Sequence, residues 1–211
     1  MKNISFSIRF REFAFAFIGK YLKLSLCPVI FCLHSVDEDG WIFNISQNKL
    51  ELFLKEIIKI GKILSLKKIL EEKKYSKLNF VLTFDDGYES VFTKAYPLFK
   101  KFNITAGVFI TSFPDKNGDF GYLDGRKLLN LDQIKTLKKS GWDIGYHTKS
   151  HHDLRFLDEK ELADEILNVK NKLEKELGFR FEYFAYPHGV FNKQALEIVQ
   201  KAGYKYAFTA D

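Results

Sequence analysis

Residues 80–87 read Phe80-Val81-Leu82-Thr83-Phe84-Asp85-Asp86-Gly87. A short run of apolar, mostly aromatic and β-branched residues predicts a strand buried on both faces, the kind a parallel sheet uses. It stops at two adjacent carboxylates, and the glycine after them permits a tight turn into the next element. Outward from this run the pattern repeats. Val29–His34, Ile104–Ile110, Trp142–Tyr146, Phe181–Tyr186 and Tyr204–Phe208 predict further strands. Between them, apolar residues at three and four spacing predict a helix over Leu50–Leu64, and Tyr88–Phe102, Leu131–Lys139, Asp158–Leu177 and Lys193–Ala202 also read as helices. Pro97 is expected to bend or break the second of these. Gly141, Gly178 and Gly203 stand where helices stop. Alternating strands and helices predict an α/β fold: a parallel sheet with right-handed crossovers, open or closed into a barrel.

The chain has 211 residues, 46% hydrophobic and 28% charged, enough to bury a core and too few for two large enzyme domains. The net charge of +6 is dispersed, mostly as lysine, and no basic–aromatic platform accompanies it, so no nucleic-acid partner is expected. No stretch of about 20 uncharged apolar residues exists to span a bilayer. Two cysteines, Cys27 and Cys32, exclude a disulfide scaffold and are expected to pack as small buried hydrophobes. Residues 1–27 differ from the rest. They mix Phe, Ile and Leu with Lys2, Arg9, Arg11, Lys20 and Lys23 and lack a small-residue cleavage site, so they read as a basic amphipathic segment. Such a segment lies on a membrane surface or packs on the domain itself. The expected organisation is therefore residues 1–27 followed by one domain over 28–211. The expected location is cytoplasmic or at a membrane periphery.

In parallel α/β folds the chemistry gathers where strands end. Here four of five histidines stand there: His34, His147, His151 and His188, with His152 directly after. Asp85-Asp86 would repel and lose hydration at a strand end unless something compensates. In an extended segment the two side chains point apart, so one can ligate a cation and the other act as a base. The ordinary alternative is a helix N-cap. His147-x-x-x-His151 can converge two imidazoles on one metal, and with a carboxylate it forms an open set suited to Zn²⁺ or a related divalent ion. A polar loop with coincidental histidines is its ordinary alternative.

Thr83-Phe84-Asp85-Asp86-Gly87 and His147-Thr148-Lys149-Ser150-His151 resemble the first two motifs of the polysaccharide deacetylases, the carbohydrate esterase family 4 or NodB-homology domain. Val29–Val36 resembles that family's first strand, Trp142–Tyr146 the strand before the histidine motif, and Phe184–Gly189 its third motif. The resemblance covers about residues 28–211 and implies a distorted (β/α) barrel of about seven strands, complete or cut short at the C-terminus. It implies removal of acetyl groups, N-acetyl first, from a glycan or lipid-linked amino sugar of a bacterial cell envelope. By position it implies a divalent ion, Zn²⁺ first, on Asp86, His147 and His151, with Asp85 as general base. It also implies that His188 lends its backbone amide to the oxyanion, and that His34, Tyr186 and Pro187 face the substrate. Two departures stand out. Ala185 occupies the place of an arginine that often orients the base. No histidine follows His188, so the family's histidine acid would lie beyond Asp211, or His34 or His188 replaces it. The competing expectations are a catalytically impaired sugar-binding member and a hydrolase of other amides, as in allantoin-type relatives.

Overall fold

The computed structural model describes residues 28–72, 78–111, 118 and 120–210, so the amphipathic segment expected over 1–27 lies outside the described residues. The strands are β1 (Val29–Leu33), β2 (Lys62–Ile63), β3 (Asn79–Phe84), β4 (Gly107–Ile110), β5 (Tyr122–Leu123), β6 (Arg126–Lys127), β7 (Asp143–Tyr146), β8 (Tyr183–Ala185) and β9 (Tyr206–Phe208). Seven form one parallel sheet in the order β1-β3-β4-β7-β8-β9, with β2 also paired to β3, while β5 and β6 form a small antiparallel hairpin. The sheet curls without pairing β1 to β9 and so makes an incomplete barrel. No described helix is long and apolar enough to cross a membrane.

Alternation along the strands separates two cores. On β3, Phe80, Leu82 and Phe84 face the outer layer of helices, while Val81 points into the barrel. The helices are α1 (Gln47–Ile60), α2 (Leu66–Glu71), α3 (Tyr96–Lys101), α4 (Leu131–Lys139), α5 (Glu159–Ala163), α6 (Val169–Leu177) and α7 (Lys193–Lys201). The outer core is strongly aromatic. Trp142 lies 5.2 Å from the Phe99 ring and 6.1 Å from that of Phe84, all three essentially buried. Burying such rings contributes a few kcal/mol each, roughly 1.5–3 by area, and fixes the sheet against its helices.

Two helices depart from the pattern read off the sequence. The helix expected to run to Leu64 stops at Ile60, because Gly61 is fully extended and passes so close to β3 that a Cβ would sit 2.6 Å from the Leu78 carbonyl oxygen. Only glycine lets Lys62–Ile63 join the sheet there. The six-residue α2 that follows was not anticipated. Capped by Ser65 and by the Asp143 carboxylate on Lys67 N–H (3.2 Å), it inserts Leu66 and Ile69 into the barrel and plugs one end. Pro97 does perturb its helix. Tyr96 N–H reaches Val91 O in a π-helical turn over Val91–Ala95, which spares the proline ring a clash in the turn before it.

Candidate active site at the open end of the half-barrel

With α2 closing one end, a cavity of about 290 Å³ opens at the other, where the parallel strands terminate. Asp85 and Asp86 leave β3, and the backbone holds them in place. Asp85 N–H donates to Leu33 O (2.8 Å), and Thr111 N–H to Asp86 O (3.2 Å). Their side chains diverge because the chain leaves the strand in a turn, with Asp86 in the left-handed region. Asp86 is buried, and its Oδ1 lies 3.3 Å from His151 Nε2 and 3.7 Å from His147 Nε2. Ligand atoms of the three residues all lie within 4.8 Å of one another.

Three observations show that this trio fits a divalent ion. The buried Asp86 Oδ1 has no hydrogen-bond partner, a costly condition that a cation relieves. His147 Nδ1 lies 2.7 Å from Ala185 O; a carbonyl only accepts, so Nδ1 carries the proton and Nε2 turns a lone pair toward Asp86. Burial, with the neighbouring His151, drives His147 down to about 3, which keeps the imidazole neutral as a ligand must be. Burial likewise lowers His151.

Asp85 faces another way. Its Oδ2 accepts a hydrogen bond from the Cys32 thiol at 3.1 Å. Burial and the adjacent Asp86 charge push the Asp85 carboxyl up to about 7, against the opposing effect of that bond. Cys32 therefore does not pack as the inert hydrophobe expected of it. Ile30, Cys32 and His34 alternate along β1 onto the cavity wall, while Phe31 and Leu33 enter the outer core. Burial and the Asp85 carboxylate push the Cys32 thiol up. The missing arginine at Ala185 thus has a counterpart: the thiol holds one carboxylate oxygen, and the Ala185 carbonyl orients a histidine.

The site is built on strained backbone. Asp86 (φ 68°), Thr148 (φ 73°), His151 (φ 57°) and His188 (φ 59°) all occupy the left-handed region as non-glycine residues. Each costs of order 1 kcal/mol or more and persists only where surrounding structure imposes it, a condition that concentrates at functional sites. For the His147–His151 loop the restraint is Glu165. Its carboxylate accepts Lys149 N–H (3.0 Å), Ser150 N–H (2.9 Å) and the Ser150 hydroxyl. Glu165 is buried in a π-helical stretch, Asp164–Asn168, that joins α5 to α6. In sequence it looks like a surface helical charge, and no local signal marks it. Glu165→Ala is expected to leave two loop amides unpaired, costing about 1–3 kcal/mol each, and to weaken metal binding about 10–100-fold. Thermal unfolding and metal titration check this; unchanged metal affinity would exclude the positioning role.

The remaining expected residues distribute unevenly. His188 is exposed at the mouth, its ring 4.7 Å from that of His151, in a turn closed by Gly189 N–H on Tyr186 O (2.9 Å). His34 lines the cavity, 4.9 Å from the Phe43 ring. Tyr186 lines it too, stacked 4.7 Å from Phe191, with its buried hydroxyl unpartnered and pushed up to about 12 by burial. Pro187 is buried in the turn and is not on the cavity wall. His152 points away, toward Ser150 and Glu165. Sequence reading missed Trp41 and Phe43, which form an aromatic rim with rings 5.2 Å apart. The Arg126 guanidinium lies 4.1 Å over Trp41 and pairs with Asp39.

Comparison with known proteins gives a family and a fold. Residues 72–207 match the family described as polysaccharide deacetylase. A poly-beta-1,6-N-acetyl-D-glucosamine N-deacetylase of Staphylococcus aureus is 32% identical over 80% of this chain, and this chain spans 62% of that protein's length. Among solved structures, IcaB from Ammonifex degensii superposes with a TM-score of 0.77 at 24% identity, covering 86% of this chain and 83% of that one. A de-N-acetylase from Aggregatibacter actinomycetemcomitans superposes with a TM-score of 0.73 at 20% identity, over 86% of this chain and 87% of its own. These two likenesses establish the incomplete-barrel fold.

Proposed function

The chain belongs to the polysaccharide deacetylase family, and from that premise we propose that it is a Zn²⁺-dependent hydrolase removing N-acetyl groups from a polymer of N-acetylglucosamine. What carries the reading is the division of labour between neighbouring carboxylates. Asp86 turns its unpartnered oxygen to two neutral imidazoles, and Asp85 is held apart on Cys32.

Asp86, His147 and His151 would hold the ion. The chemistry a divalent ion supplies in such a site is Lewis acidity toward an acetamide carbonyl and toward water. Asp85 receives the proton of the attacking water as its oxygen bonds to the carbonyl carbon. Its Oδ2 already accepts from Cys32, so the other oxygen is the acceptor. The carbonyl oxygen gains negative charge, and the His188 backbone N–H donates to it. When the C–N bond breaks, acetate departs and the amine nitrogen takes up a proton. The donors within the cavity are protonated Asp85 and the rings of His34 and His188. Trp41, on the aromatic rim of the cavity, is the ring against which a sugar packs.

Acetate release from an N-acetylglucosamine oligomer, lost on chelation and restored by Zn²⁺, is the expected result. A chain that binds Zn²⁺ yet releases no acetate from any acetylated amino sugar contradicts the proposal and favours a sugar-binding member. Trp41→Ala is expected to raise KM about tenfold, about 1.4 kcal/mol of lost contact, with kcat little changed. Steady-state kinetics check this, and a fall in kcat alone would remove Trp41 from substrate binding.

A further inference from the structure

A second group of metal-ligating donors stands on the wall of the same cavity. Cys32 and His34 project from the cavity face of β1 and its end, and Asp85 from the end of β3 beside it. One ligand atom from each lies within 4.8 Å of the other two. The thiol and the carboxylate are already in contact, Cys32 Sγ to Asp85 Oδ2 at 3.1 Å. Trp41 and Phe43 pack edge-on and tilted against the His34 ring, at 6.3 and 4.9 Å, and so limit its movement. The donor chemistry is selective. A thiolate, an imidazole and a carboxylate together suit thiophilic or borderline ions such as Zn²⁺, Co²⁺ and Cd²⁺, and do not suit Mg²⁺ or Ca²⁺. Three protein ligands at the edge of an open cavity leave a fourth position for water.

We propose that Cys32, His34 and Asp85 form a second cation site, taking a thiophilic divalent ion whose binding blocks the reaction. The thiol proton leaves to solvent and the ion takes its place between sulfur and carboxylate. Because that proton must be displaced, the site fills at higher ion concentration than the Asp86 site and more readily as pH rises. Blockage follows because Asp85, once a ligand, no longer accepts a proton from water. That consequence rests on the reading of Asp85 as base, whereas binding itself does not.

Titration of the chelator-stripped full chain with Co²⁺ tests both. The first equivalent is expected to give visible ligand-field bands alone. A second equivalent is expected to add the near-ultraviolet thiolate-to-Co²⁺ charge-transfer band. That band persists in Cys27→Ser, disappears in Cys32→Ser, and in His34→Ala requires at least about tenfold more Co²⁺, the loss of one ligand contact. A parent chain that never develops the band, a band that survives Cys32→Ser, or an unmoved midpoint in His34→Ala would overturn the site. Acetate release by the parent is expected to fall in step with the band; undiminished release at full band intensity would overturn the blockage. If the parent releases no acetate at any stage, the deacetylase reading fails, and the band still decides whether the site exists.

Discussion

Asp85→Asn is expected to lower the rate of acetate release by about 10²–10⁴-fold, the usual contribution of a positioned general base, while the chain retains the one Zn²⁺ held at Asp86, His147 and His151 when a single equivalent is supplied. The amide is nearly isosteric and can still accept the Cys32 hydrogen bond through its oxygen, so geometry is preserved and basicity is lost. Removing the charge also relieves the repulsion between two adjacent carboxylates at a strand end, and stability should not fall. Stopped-time acetate assays beside metal analysis on the same samples separate the possibilities. Loss of metal together with rate would mean that Asp85 is itself a ligand of the first ion. An unchanged rate would mean that the base lies elsewhere.

His151→Ala is expected to reduce Zn²⁺ affinity by more than 100-fold, beyond the usual effect of losing a supporting contact, and to abolish acetate release at stoichiometric metal. This variant is preferable to one at His147. His151 is partly exposed to the cavity, whereas His147 is buried and holds the Ala185 carbonyl, so its removal would also disturb packing. The loop itself should survive, since Glu165 grips Lys149 and Ser150 independently of the imidazole. Competition with a chromophoric chelator measures the affinity. Retention of tight Zn²⁺ binding would exclude His151 from the ligand set.

Much of this was legible in the chain because the strand-end signal is local. A buried run such as Phe80–Phe84 that stops at two carboxylates, and another that stops at His147, can be read without knowing the fold. The sheet order then brings them together, since β3, β4 and β7 are neighbours. Cys32 was readable in principle. It lies two residues from His34 on a strand, and a period of two puts them on one face. Its apolar neighbours Phe31 and Leu33 masked that signal. Glu165 was not readable, because what distinguishes it from other helical glutamates is a loop from elsewhere in the chain donating to its carboxylate. Nor was Ala185, whose contribution is a backbone carbonyl with no side-chain signature. The extended Gly61 and the short α2 were lost for a related reason: tertiary proximity to Leu78 and the barrel interior overrides a helical periodicity that continues on paper to Leu64.

Anomalous X-ray scattering from crystals of the full chain grown with one equivalent of Zn²⁺ locates the ion and its ligands. The predicted result is a single peak bonded to Asp86 Oδ1, His147 Nε2 and His151 Nε2, with Asp85 outside its coordination sphere. A peak that these three side chains do not share, or one that takes Asp85 in place of Asp86, would contradict it.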